Sequence, residues 1–170
     1  MNYGAIKVRD ISNGEGVRVS LFVSGCTHHC KGCFNPETWD FNYGEKFTEK
    51  TISEIINFMS LEYIQGLTVL GGEPFEDQNR PEVLKLIKKV KEVYPQKDIW
   101  MYSGYLFEEI KDKKYGKEIL SLIDVLVDGE FVKERKNLKL KFRGSDNQRV
   151  IDVKKTLETG QIVLVEKYIA

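Results

Sequence analysis

The chain has 170 residues, and its 26 Lys plus Arg balance 26 Asp plus Glu to a formal net charge of zero. That balance gives no basis for gripping nucleic acid or an anionic membrane, and no apolar run approaches the ~20 residues that span a bilayer. The opening MNYGAIKVRD lacks the apolar core of a secretory signal, so the three cysteines are expected in a reducing, cytoplasmic setting.

A chain of this length fits one domain, expected over 1–170. Residues 17–23, VRVSLFV, are rich in β-branched and aromatic side chains and predict a strand. The strand runs into SGCTHHCKGCFN at 24–35, which holds every cysteine and both histidines. Ile52, Ile55, Ile56 and Met59 then recur at helical spacing, predicting an amphipathic helix in a segment that starts at Thr48 and ends by Gly66. LTVL at 67–70 reads as a short buried strand opening onto Gly71-Gly72-Glu73-Pro74. Pro81 suits a helix start, and Val83, Leu84, Ile87 and Val90 form the apolar stripe behind it. A strand at 98–103, a helical stretch within 105–122 and a strand at 124–127 follow. In the tail, RVIDV at 149–153 and IVLVEKY at 162–168 look strand-like around a turn at Thr159-Gly160. This alternation predicts an α/β fold with a largely parallel sheet. Ligands gather at the C-terminal strand edge of such folds, so the cysteine loop and the GGEP turn are expected to face one pocket.

Three cysteines at C-x3-C-x2-C are too few and too close for a disulfide framework. One reading is an iron–sulfur cluster, whose corner irons each accept one thiolate, leaving a fourth iron open. Another is structural zinc, with the three cysteines and a histidine; His28 suits this better than His29, which adjoins Cys30. A third is cysteines with no shared role. Gly71 and Gly72 either let backbone approach a ligand or mark a plain turn, and His28 reads as an exposed loop residue.

The C-x3-C-x2-C loop after one strand and Gly-Gly-Glu-Pro after the next resemble the radical S-adenosylmethionine (SAM) enzymes. Within that superfamily, five stretches are similar to the small activases that install a glycyl radical on anaerobic ribonucleoside-triphosphate reductase. They are NGEGVRVSLFVSGCTHHCKGCFNPETW at 13–39, GGEPFEDQNR at 71–80, KDIWMYSGY at 97–105, DVLVDGEF at 124–131 and FRGSDNQR at 142–149. Gly32 precedes the third cysteine where many superfamily members carry an aromatic residue, and the activases also have glycine there. Residues 153–170 match no segment of the family.

The resemblance implies an incomplete (partial) TIM-like barrel of radical SAM type. It implies a 4Fe-4S cluster on Cys26, Cys30 and Cys33, with SAM chelating the open iron. Gly32, Cys33, Phe34, Gly71, Gly72, Glu73 and Asp128 are implied to bind SAM, Glu73 through its ammonium group, and no residue beyond cluster and SAM is expected to be catalytic. Asn35 is implied nearby, though it equally starts a turn before Pro36, and Asp128 is equally an Asp-Gly turn residue. The implied reaction is reductive cleavage of SAM and hydrogen abstraction from a glycine of the reductase, with flavodoxin or ferredoxin as electron donor. No cysteine is left to carry a thiyl radical, so nucleotide reduction is not expected of this chain alone. One alternative is an activase of another glycyl-radical enzyme such as pyruvate formate-lyase; those chains are generally longer and lack an FRGSDNQR-like segment. The other is a non-enzymatic metal-binding module, against which GGEP at a strand end argues.

Overall fold

Seven strands build one sheet: β1 (Asn2–Asp10), β2 (Val17–Val23), β3 (Glu45–Lys46), β4 (Ile64–Gly71), β5 (Asp98–Tyr102), β6 (Val125–Asp128) and β7 (Arg149–Asp152). The computed structural model describes residues 1–169 and orders them β3-β1-β2-β4-β5-β6-β7. The four central strands, β2, β4, β5 and β6, run parallel. The flanking pairs β1–β2, β1–β3 and β6–β7 are antiparallel, so the expected largely parallel sheet has antiparallel margins. The sheet is open, with β3 and β7 at its edges.

The side-chain period of two divides this sheet into unlike faces. Val19, Leu21, Val23, Leu67, Val69 and Ile99 join the main core, which packs against α1 (Glu49–Phe58) and α2 (Arg80–Val93) through Ile55, Met59, Val83 and Ile87. Three shorter helices complete the fold: α3 (Phe107–Ile110), α4 (Gly116–Leu122) and α5 (Val153–Thr159). The other face carries a small aromatic cluster around Trp100, Val127 and Val150, with Tyr102, Phe142 and Tyr168 packed on it. Arg18 lies on the same face, fully buried, and ties three strands together. Its Nε donates to Thr68 Oγ1 (2.7 Å), and its Nη2 to Leu67 O (2.9 Å) and Asp98 Oδ1 (2.5 Å). The guanidinium also stands 5.5 Å from the Trp100 ring centroid.

Several elements differ from the sequence reading. The helix after Thr48 stops at Phe58, and Gly66 lies inside β4 instead of ending the segment. A Cβ on Gly66 would meet the Asp98 carbonyl oxygen at 2.1 Å, so a glycine is needed for strand contact, not termination. The helical stretch within 105–122 is two short helices, split at residues 111–115. The tail at 162–168 is not a strand: it makes one bridge, Leu164 to Ile151, and a 3-10 turn at Glu166–Tyr168. Residues 153–159 are helical because the Asp152 side chain caps the Lys155 N–H, and Gly160 ends the helix at φ +74°. Among the described residues no helix is long and apolar enough to cross a membrane.

Candidate functional site

The parallel register brings two strand ends together. Val23 of β2 pairs beside Gly71 of β4, and each strand releases its loop at the same sheet edge. The loops are then laced through their backbones: Gly72 N–H donates to Val23 O (2.7 Å) and Glu73 N–H to Gly25 O (2.8 Å). Gly25 N–H donates in turn to Thr38 O (2.7 Å), and Cys26 N–H to Trp39 O (3.2 Å). Gly71 sits at φ +105°, a conformation that side chains strongly disfavour. A Cβ on Gly72 would lie 2.7 Å from Gly25 O and 2.8 Å from Thr38 O, so the close approach excludes any side chain there.

The two loops enclose a cleft of about 790 Å³, a volume suited to a small-molecule ligand. Cys26, Cys30, Cys33 and Phe34 line it together with Gly71, Gly72 and Glu73. Gly32 and Asp128 are not among its lining residues. Asp128 is fully buried, held by Arg149 (Nε to Oδ1, 2.9 Å; Nη2 to Oδ2, 2.6 Å) and by Phe107 N–H (2.7 Å). Its neighbours Val127 and Gly129 do reach the cleft, so Asp128 braces the end of β6 from within the protein.

Glu73 is 1% exposed and has four donors from the chain itself. His28 Nε2 (2.8 Å) and Gly104 N–H (2.7 Å) meet Oε1, while Phe75 N–H (2.9 Å) and Ser103 Oγ (2.8 Å) meet Oε2. The His28 side chain is 8% exposed, not a surface loop group, because its Nδ1 also reaches Glu130 Oε1 at 2.9 Å. Burial works against a charged ring there, but the bonds to Glu73 and Glu130 outweigh it and push the His28 pKa up to about 9. With a carboxylate oxygen on each ring nitrogen, His28 has no nitrogen free to ligate a metal. His29, with φ +49°, stacks on Trp39 at 4.5 Å. The mixed cysteine–histidine zinc set therefore finds no free partner in His28.

All three cysteines are free thiols. Burial pushes the Cys26 pKa up to about 11 and raises that of Cys30. The Asn35 N–H nevertheless donates to Cys33 Sγ at 3.4 Å, and backbone hydrogen bonding acts against burial at Cys26 and Cys30. Such donors stabilise thiolates, and metal binding supplies the positive charge that displaces the protons. Among the described residues, no three Cys, His, Asp or Glu gather around a point where one metal ion would sit. A cluster spreads its ligands over several irons and does not require that convergence. The donor set thus fits a 4Fe-4S cluster.

Comparison with known proteins agrees with this geometry. Residues 12–151 match the family model described as a 4Fe-4S single cluster domain. An anaerobic ribonucleoside-triphosphate reductase-activating protein of Enterobacteria phage T4 is 47% identical over 150 residues, 88% of this chain and 93% of the relative. The protein of the same name from Escherichia coli K12 is 43% identical over 152 residues, 88% of this chain and 97% of the relative. The chain belongs to the anaerobic ribonucleoside-triphosphate reductase-activating protein family. The Pasteurella multocida member is 43% identical over 150 residues, 87% of this chain and 95% of its own length.

Sequence reasoning about this activating-protein fold missed the His28–Glu73–Ser103 network. The stretch KDIWMYSGY contained Ser103 and Gly104, but only strand order shows that they supply donors to Glu73. Gly72→Ala is expected to push the two loops apart, at a cost of about 1–3 kcal/mol for a forced methyl. Iron retained after anaerobic reconstitution should fall while far-UV circular dichroism stays unchanged; full iron content would show that the loop spacing tolerates the methyl.

Proposed function

We propose that this chain activates an anaerobic ribonucleoside-triphosphate reductase by generating a glycyl radical on it, as a radical SAM enzyme. The observation that carries the reading is the cleft itself: three free cysteines and the Gly71–Glu73 turn line one and the same opening. The names of the 41–47% identical relatives support the choice of reductase as target. When bound, the cluster and SAM together supply one-electron reductive cleavage of the sulfonium and hence hydrogen abstraction from a glycine Cα of the partner.

The chain's residues hold, shape and shield. Cys26, Cys30 and Cys33 would hold the cluster through three thiolates and leave it one position open to SAM. Gly71 and Gly72 keep the turn free of side chains, so that its backbone could approach SAM closely. Glu73, whose carboxylate is held by four donors, fixes the turn against the loop after β5, so that the Gly71–Glu73 backbone would meet the ammonium end of SAM. Cys33 and Phe34 flank the cofactor, Gly32 supports them from outside the cleft lining by turning the chain at φ +78°, and Phe34 closes the outer side with Phe131, whose ring centroid is 5.1 Å away. Asp128 acts as a positioning residue, fixing the end of β6 through Arg149. We read the open sheet as a partial barrel whose unclosed side admits a peptide loop. A low-potential donor, flavodoxin or ferredoxin, is required because plant-type clusters sit near roughly −400 mV.

Anaerobic reconstitution with SAM, dithionite and the cognate reductase tests the reading. Slow, uncoupled formation of 5′-deoxyadenosine is expected from the chain alone, and a stable glycyl radical on the reductase when both are mixed. A glycyl radical on this chain, or ribonucleotide reduction without a second protein, would overturn it.

A further inference from the structure

Residues 133–143, KERKNLKLKFR, place Lys133, Arg135, Lys136, Lys139, Lys141 and Arg143 against Glu134 alone, in a chain of zero net charge. The segment forms a lip at the cleft mouth, pinched at its base by a bridge between Lys136 and Ser145 and by Asn137 N–H donating to Gly144 O at 3.2 Å. Its two chemistries are sorted by direction. Leu138, Leu140 and Phe142 line the cleft, whereas Lys136, Lys139 and Lys141 do not. Leu138 is nonetheless 84% exposed, and Phe34 on the cysteine loop is 60% exposed with Lys136 Nζ 5.4 Å from its ring centroid. The two arginines are already engaged, Arg135 by Asp146 and Arg143 by the carbonyls of Gln148 and Tyr168. Among the described residues, Lys133, Lys136, Lys139 and Lys141 form no ion pair.

Exposed apolar side chains rimmed by charge mark a protein-binding surface, and uncompensated cations steer an anionic partner toward it. A phosphate backbone would be met by free arginine forks, which this lip lacks, and would leave Leu138 without an apolar counterpart. Resting on the activase reading above, we propose that the lip docks an acidic, partly apolar segment of the reductase, next to the glycine it delivers to the cleft. Leu138 and Leu140 line the same cleft as the three cysteines, so a segment bound on the lip lies beside the site.

The test is a triple charge reversal, Lys136→Glu, Lys139→Glu and Lys141→Glu, beside a control reversing the exposed distal lysines Lys50, Lys117 and Lys155. A neutral version, with Gln at 136, 139 and 141, guards against misfolding. Association with the cognate reductase is followed anaerobically at low and high salt, together with iron content and dithionite-driven SAM cleavage by the chain alone. The lip variants should keep iron and solitary SAM cleavage, while association at low salt falls about tenfold or more and its salt dependence flattens. The distal control should behave as wild type. Equal loss in the control, or unchanged association in the lip variants, overturns the proposal. So does a loss confined to heparin or DNA binding, or a loss of solitary SAM cleavage, which would make the lip part of the cofactor site. Wild-type protein that holds no cluster or cleaves no SAM fails the activase reading itself, a result distinct from any of these.

Discussion

Replacing Cys26, Cys30 or Cys33 singly with alanine is expected to abolish stable 4Fe-4S content and glycyl-radical formation. The chain contains three cysteines and no more, all in one loop, so no thiol elsewhere can substitute. Burial raises Cys26 and Cys30 toward the protonated thiol, and only a metal-borne positive charge offsets that. Two remaining thiolates would leave a second iron corner open, and the cluster should be lost during anaerobic gel filtration. Iron analysis and visible absorbance give the readout. His28→Ala is the matching control: its ring nitrogens bond to Glu73 and Glu130, so iron should be retained. A cysteine variant that still held four irons and cleaved SAM would sink the ligand assignment, and iron loss in His28→Ala would restore a mixed ligand set.

Arg18→Ala should produce the largest loss of stability among single substitutions outside the cysteine loop. Removing the guanidinium deletes its bonds to Thr68, Leu67 and Asp98, and leaves a void beside Trp100. Asp98, 28% exposed, regains some water, but the Leu67 carbonyl loses a buried charged donor. Breaking such a buried network by removing one partner costs about 3–5 kcal/mol. Arg18→Lys should recover only part of this, since an ammonium lacks the planar fork that reaches Thr68 and Asp98 together. Urea denaturation checks it: the midpoint should fall with the slope unchanged. A shift worth less than about 1 kcal/mol, within the usual range for exposed ion pairs, would show that the network contributes little beyond a surface contact.

Local composition is enough to specify the central elements and the chemistry of the loop. The LTVL run in β4 reads as a continuous apolar segment because a parallel strand is buried on both faces, and VRVSLFV reads as β2 through its β-branched and aromatic residues, with Arg18 and Ser20 on the face opposite Val19, Leu21 and Val23. The apolar stripes of α1 and α2 were legible because helices bury one face at a fixed period. The cysteine spacing was legible because neighbouring ligands on one loop need no fold to be adjacent. Strand β1 was not legible: Ala5, Lys7 and Arg9 are exposed, Gly4, Ile6 and Val8 only half-buried, and its place depends on pairing with β2. Gly66 and the 162–168 segment misled for a related reason. Local composition records backbone preference, whereas the Asp98 neighbour and the single bridge from Leu164 to Ile151 are set at long range.

Tertiary structure alone decided how the site is wired. His28, Glu73, Ser103 and Glu130 come from loops after different strands and meet only because β2, β4, β5 and β6 lie side by side in parallel. Asp128, equally acidic in sequence, faces inward to Arg149 because successive strand residues point to opposite faces, leaving Val127 and Gly129 at the cleft. Charge identity is written in a residue, but whether that charge reaches a ligand or a partner inside the protein depends on strand order and on which face the pleat presents.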